Sequence, residues 1–273
     1  MPKDFALIAQ MSDLHVTAPD RLVARRVDTE PFVRRAVRHV NSLDPRPDVV
    51  LVTGDLVDRG APVEYDRLAG LLGELEMRYV LLPGNHDDRE ALRAAFPELP
   101  REGRLVHDET IGGLRVLCLD DWVPGSPSGT LGADQLAWLD ERLAQAPATP
   151  TLVALHHPPF ASGLVHMDEM GLTDREDLAQ LVRRHGQVRC VVAGHLHRPI
   201  WTLWQGAVAM TSPSVAHQVV LDLTDEAPAL FNFEPPAVLL HRFDAIGGLV
   251  SHVSYVGDFE GPYRFDGGDV SAL

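Results

Sequence analysis

Short apolar runs alternate with helix-period segments through residues 5–193. The runs at 5–10, 48–52, 79–82, 104–107, 114–119, 151–155 and 188–193 predict strands. The run at 48–52 is apolar almost throughout, the pattern of a strand buried on both faces. Between them, residues 29–43 place Phe32, Val33, Ala36, Val37 and Val40 at helical spacing, and 133–144 place Leu136, Leu139 and Leu143 on one helical face. Further helices are expected over 63–75 and 88–96. Thr173 and Glu176 have the spacing of a capping box opening another helix that runs to 185.

Beyond Pro199 the pattern changes. Residues 201–204, 207–210, 218–221, 237–243 and 249–256 all read as strands, separated by Gly and Pro turn signals with no helix between them. Alternation followed by strands predicts an α/β protein with helices layered on sheet. One domain over 1–273 is expected, with the β-rich part 199–273 completing a sheet and supplying a subunit contact. The segment from Gly257 onward reads as a surface extension.

Composition narrows the classes. A hydrophobic fraction of 45% over 273 residues supports a sizeable core. No run reaches the roughly 18–20 apolar residues of a membrane span, so no membrane partner is expected. The start of the chain lacks the features of a signal peptide, which gives a cytoplasmic expectation. Cys118 and Cys190 each lie inside an apolar run and read as small buried hydrophobes. With 24 basic and 39 acidic residues the formal net charge is −15, opposite to what a nucleic-acid polymer would require.

The chemistry sits in short polar clusters, each just after a predicted strand. They are Asp13-Leu14-His15, Gly54-Asp55, Gly84-Asn85-His86-Asp87, His156-His157 and Gly194-His195-Leu196-His197. Each alone reads as a turn or a polar loop; Gly84-Asn85, for instance, is an ordinary turn signal. Together they supply seven oxygen and nitrogen donors: Asp13, His15, Asp55, Asn85, His156, His195 and His197. Loops beyond the carboxyl ends of strands converge in α/β sheets, so these donors can meet. The i, i+2 pairs Asp13/His15 and His195/His197 would share one side of an extended segment. Seven donors suit two divalent cations if one carboxylate bridges them about 3.5–4 Å apart. Asp55, after the most central-looking strand, is the expected bridge. Mixed N and O donors without thiolate fit Mn, Fe, Zn or Co.

In this order the clusters resemble the metallophosphoesterase (calcineurin-like phosphoesterase) pattern D-x-H … G-D … G-N-H-[DE] … H … G-H-x-H. The resemblance implies a four-layer α/β/β/α sandwich, two mixed sheets flanked by helices. It also implies one metal on Asp13, His15, Asp55 and His197 and another on Asp55, Asn85, His156 and His195. The wording Gly54-Asp55-Leu56-Val57-Asp58-Arg59-Gly60, Gly84-Asn85-His86-Asp87-Asp88-Arg89 and Leu155-His156-His157-Pro158-Pro159 is similar to class III cyclic nucleotide phosphodiesterases. Residues 211–218 (Thr-Ser-Pro-Ser-Val-Ala-His-Gln) resemble glycerophosphodiesterases of the same branch.

By that resemblance, Asn85 and His86 contact the phosphate, and His86 helps the leaving oxygen depart. Asp58 would orient His86, Arg59 would offer a fork to a phosphate oxygen, and His217 would line the pocket. His157 is expected to be a structural hydrogen bonder, and Asp120-Asp121 to serve turns and caps. The 160–172 loop could form a lid, with Phe160 stacking on a base. The expected activity is hydrolysis of a small phosphodiester, first a 3′,5′-cyclic nucleotide, by in-line attack of a metal-bound hydroxide. The alternatives are a glycerophosphodiesterase, a phosphomonoesterase of the same superfamily, and a non-catalytic interaction module. A homodimer or higher homo-oligomer is expected from the resemblance alone.

Overall fold

The computed structural model describes residues 4–267. In chain order its first elements are β1 (Ala6–Met11), α1 (Glu30–Ser42), β2 (Val49–Thr53), α2 (Pro62–Leu72), β3 (Tyr79–Leu82) and α3 (Arg89–Ala95). Then come β4 (His107–Ile111), β5 (Leu114–Cys118), α4 (Gly132–Gln145), β6 (Thr151–Ala154), α5 (Val165–Asp168), α6 (Arg175–Arg184) and β7 (Val188–Ala193). The last third holds β8 (Ile200–Trp204), β9 (Ala207–Thr211), β10 (Gln218–Val219), β11 (Phe231–Asn232), β12 (Ala237–Asp244) and β13 (Gly248–Tyr255).

Two large sheets carry the fold. One has the order β13-β12-β1-β2-β3, with β1, β2 and β3 parallel and β12 antiparallel to β1. The other has the order β4-β5-β6-β7-β9-β8, with β5, β6, β7 and β9 parallel. Alternate residues of β1 and β2 divide between two cores. Ala9, Met11, Val50 and Val52 pack outward with Val33, Ala36 and Val37 of α1 and Leu68 of α2. Ile8, Val49 and Leu51 face Val116, Leu152 and Val192 of the second sheet. A third core joins Val153 and Val191 to Leu139 and Leu143 of α4 and Leu178 of α6. Three apolar layers between helix, sheet, sheet and helix make the four-layer α/β/β/α sandwich that the pattern implied.

Several local expectations change. Residues 104–106 do not form a strand: Arg104 Nη1 donates to the carbonyl oxygens of Asp120 and Thr130, and Leu105 N–H to Asp120 Oδ2. The strand there is β4, a few residues later. The capping box at Thr173 does not form, because Asp174 occupies the cap position of α6. The Asp174 carboxylate instead accepts from Leu131 N–H at 3.1 Å and Gly132 N–H at 2.8 Å, closing the start of α4. Thr173 Oγ1 donates to the Gly129 carbonyl. A tertiary cap has won over a local one.

The last third serves both large sheets rather than one, through β8–β9 and β12–β13. Its β10 is only two residues long and pairs with β11 as a separate small hairpin. Residues 257–267 are almost entirely exposed, and the remainder of the expected surface extension lies outside the described residues. Among the described residues no helix is long and apolar enough to cross a membrane.

Candidate metal centre

Parallel strands bring their carboxyl ends to one edge, and the polar clusters follow those ends. Asp13, Asp55, His156 and His195 each come two residues after β1, β2, β6 and β7, and Asn85 comes three after β3. Pairing between β1 and β2 continues into their loops. Asp13 N–H donates to the Gly54 carbonyl at 3.1 Å, and His15 N–H to the Asp55 carbonyl at 2.9 Å. The Asp-x-His and His-x-His pairs are not extended, however. Asp13, His15, Asp55, His195 and His197 have φ of 54°, 44°, 49°, 68° and 51°. Five of the nine non-glycine residues with positive φ among the described residues are therefore donors. A left-handed backbone costs an L-residue on the order of 1–2 kcal/mol each, so such clustering marks a site whose geometry the rest of the fold sustains.

Glycine permits the loops to close on one another. At Gly194 an added Cβ would lie 2.0 Å from Ser12 Oγ and 2.9 Å from Asp13 Oδ2. Asp87, buried beneath, ties two of the loops together. Its carboxylate accepts from the N–H groups of Leu56, Val57 and Gly84 at 3.1, 3.3 and 2.8 Å and from Tyr65 Oη at 2.9 Å.

The donors form two groups meeting at Asp55. In the first, ligand atoms of Asp13, His15, Asp55 and His197 all lie within 4.8 Å of one another. His15 Nε2 is 3.1 Å from His197 Nε2 and 3.5 Å from Asp55 Oδ2, and His197 Nε2 is 3.4 Å from Asp13 Oδ1. In the second, Asp55 Oδ1 is 3.5 Å from His156 Nε2. Asn85 Oδ1 is 3.2 Å from His156 Nε2 and 3.1 Å from His195 Nδ1. Each oxygen of one carboxylate thus faces its own set of donors.

Tautomers reinforce this arrangement. His197 Nδ1 donates to the His217 carbonyl at 2.9 Å and His156 Nδ1 to the Thr53 carbonyl at 2.8 Å. In the neutral rings the Nε2 lone pairs then point at carboxylate and amide oxygens. Oxygen and nitrogen donor atoms converge with no Lys or Arg among them, which is the donor chemistry a divalent ion requires. Buried Asp13 Oδ2, His15 Nδ1, His195 Nε2 and His217 Nδ1 have no hydrogen-bond partner within the protein.

Electrostatics agree. Burial, with neighbouring imidazoles, holds His15 and His195 well below the ordinary histidine range. Burial brings His197 to about 4, so these rings stay neutral as ligation demands. Burial raises Asp13 to about 7. Burial also opposes charge on Asp55 and His156, but their mutual attraction wins, holding Asp55 well below the carboxylate range and His156 up at about 10.

Residues 6–199 match the family model for calcineurin-like phosphoesterases. The chain belongs to the calcineurin-like phosphoesterase family. It is 36% identical to a "Probable glycerophosphodiester phosphodiesterase" of Arcobacter nitrofigilis, over 95% of this chain and 96% of that one. It is 35% identical to a "Probable cyclic nucleotide phosphodiesterase" of Rhodopseudomonas palustris, over 92% and 93%. A dimetal phosphatase structure from Danio rerio shares the fold, with a TM-score of 0.63 at 15% identity over 92% of this chain and 99% of that one.

Around the donors of this calcineurin-like phosphoesterase lies a cavity of about 330 Å³. His86 lines it, with its backbone N–H donating to Asp55 Oδ1 at 2.9 Å and its Nδ1 lying 2.8 Å from the Asp58 carbonyl oxygen. Burial would lower its pKa, but Asp55 and the Asp58 carbonyl outweigh burial and raise it. Asp58 therefore holds His86 through its backbone. Its carboxylate is instead 3.8 Å from His15 Nδ1 and 3.5 Å from Arg59 Nε.

Arg59 does not line the cavity, and its side chain is 69% exposed, so the expected phosphate fork is not in place. His217 does line it. His157 is buried and structural, its N–H donating to Asp121 and its Nε2 to the Pro127 carbonyl. Asp120 pairs with Arg89 in a buried fork. Phe160 packs against the core beneath α4 and α6, not in the cavity. The 160–172 loop does border the cavity, through His166, Met167 and Met170, and facing them are Leu230 and the aromatic Phe231, neither of which the sequence singled out.

Proposed function

We propose that this chain is a binuclear-metal phosphodiesterase acting on small diesters. The observation that carries the reading is Asp55, whose Oδ2 and Oδ1 stand 3.5 Å from His15 and 3.5 Å from His156 on opposite donor sets. Asp13, His15 and His197 would hold one ion with Oδ2, and Asn85, His156 and His195 the other with Oδ1. Two such ions supply a water of lowered pKa and neutralise the charge on phosphoryl oxygens; Mn, Fe, Zn or Co would serve.

The chain's own groups do the rest. His86 is placed to donate to the leaving oxygen from Nε2, since its Nδ1–H is committed to the Asp58 carbonyl. Donation from Nε2 needs the protonated ring, which the upward pKa shift favours. Asn85 and His217 border the space where the phosphoryl group would lie. Among the described lining residues there is no Lys or Arg, so a diester with one negative charge is favoured over a monoester with two.

Cyclic 3′,5′-nucleotides are the first substrate class proposed, processed in the cytoplasm, where free buried thiols such as Cys118 and Cys190 persist. Glycerophosphodiesters are the second reading, supported by similarity over 96% of the Arcobacter relative. The test is turnover of 3′,5′-cAMP, a glycerophosphodiester, bis(4-nitrophenyl) phosphate and 4-nitrophenyl phosphate by Mn²⁺-loaded protein. Diester hydrolysis should exceed monoester hydrolysis. Hydrolysis of no diester by protein carrying both ions would sink the proposal.

A further inference from the structure

Beyond the donors the cavity has two apolar walls, each fixed by its own device. Met167 on α5 and the adjacent Met170 form the first. The loop before α5 is closed by Asp168, whose carboxylate accepts from Ser162 N–H, Ser162 Oγ–H and Gly163 N–H at 2.8, 2.7 and 2.8 Å. Leu164 and Met167 are buried against Leu196, the residue between His195 and His197, and against Val219. This wall is therefore packed onto the metal-donor segment itself.

The second wall is the β10–β11 hairpin. Val219 and Phe231 are paired across it, and Leu230 precedes Phe231. The Phe231 ring meets His217 edge-on at 5.2 Å and continues through Phe233 at 6.2 Å to Phe32 at 6.1 Å. Leu223 in the hairpin loop lies over Gly163, so the hairpin reaches the first wall. Apolar side chains left partly open beside a polar centre are unfavourable unless something covers them. No Lys or Arg side chain is among the described lining residues, and Asp58 borders the space.

We propose that Phe231 on one side and Met167 and Met170 on the other form a slot for an uncharged, flat or apolar ester group, and that this slot sets substrate preference. It rests on the phosphodiesterase reading only in that its occupant is the organic part of a phosphodiester. The donors grip the phosphoryl oxygens, which all diesters share. Discrimination falls to the slot, where a polarizable thioether and an aromatic face both favour an aromatic group.

Calorimetric binding of two slowly hydrolysed diesters to Mn²⁺-loaded protein tests the slot apart from turnover. Diphenyl phosphate should bind at least about tenfold more tightly than dimethyl phosphate, the scale of burying one aromatic group. Phe231→Ala should shrink that ratio to about threefold or less, with metal content unchanged. Phe231→Tyr should keep it, and Met170→Ala should reduce it partially. A ratio near one in the wild type, or one untouched by Phe231→Ala, would overturn the slot. If the preference is present but no diester is hydrolysed, the slot stands and the phosphodiesterase reading falls.

Discussion

A methyl group on Gly84 would lie 2.3 Å from the backbone nitrogen of Asp55 and 2.4 Å from its Oδ1. The loop after β3 therefore presses bare backbone against the carboxylate that both donor groups share. Gly84→Ala must displace either that backbone or Asp55, at a cost of about 3 kcal/mol. The expected outcome is a lowered thermal midpoint and loss of at least one bound metal. Gly70→Ala, on α2, where the new methyl would meet nothing within 4 Å beyond its chain neighbours and the helix's own backbone, is the control. It should be neutral or stabilising by about 0.5–1 kcal/mol.

His86 and Asp58 should separate in kinetics. His86→Ala removes the cavity-facing donor and should lower kcat about 10²–10³-fold with metal content intact. Asp58→Ala keeps the carbonyl that holds His86 Nδ1, so kcat should fall less than about tenfold. Equal losses in the two variants would show that the Asp58 carboxylate, rather than its backbone, supports the reaction.

Arg89 and Asp120 form a largely buried two-point ion pair. Arg89 Nε and Nη2 donate to the two oxygens of Asp120 at 2.8 Å each, and its guanidinium stacks 4.6 Å over Trp122. Asp120 is fully buried. Arg89→Met leaves that carboxylate without a counter-charge, held only by the N–H groups of Leu105 and Trp122, and should cost about 3 kcal/mol in urea unfolding. Adding Asp120→Asn should recover part of the loss.

Residue His241 gives a pH signature. It lies wholly buried between Gln10 Oε1 at 3.0 Å and Ser251 Oγ at 2.8 Å, and burial lowers its pKa to about 4. Unfolded, it would titrate near 6.5, so the unfolded chain gains a proton first as pH falls. The associated stability is complete above pH ~6.5 and is lost progressively toward pH ~4, about 3 kcal/mol in all. Urea unfolding across that window should show a slope that is shallower in His241→Gln. Identical slopes would remove His241 from the account.

The donors were legible in the sequence because metal chemistry restricts residue type, and because strand ends converge whatever the loop detail. Their local geometry was not. The i, i+2 spacing suggested extended segments, whereas Asp13, His15, His195 and His197 are left-handed. Such a backbone is held by tertiary hydrogen bonds that leave no mark on periodicity. Alternating apolar runs were enough for helices layered on sheet, whereas the four-layer sandwich came from the family resemblance.

The position of Phe231 is not legible in the sequence, because β11 is two residues long and carries no periodic signal. Phe160 was the more conspicuous candidate for stacking, being next to His156-His157-Pro158-Pro159, but it packs on the core. Arg59 had the right type at the right place in the motif, yet its side chain turns outward to Asp58. Local sequence specifies what a residue offers; tertiary packing decides where it points.

The central claim is that Asp55 joins two metal sites, and metal stoichiometry by atomic absorption after equilibration with Mn²⁺ tests it most directly. The expected result is about two ions per chain in the wild type and about one in Asn85→Ala and in His197→Ala. Asp55→Ala, which removes both oxygens at once, should fall below one. A wild type that binds a single ion, or an Asp55→Ala variant that retains two, would contradict the shared carboxylate and the two-metal centre built on it.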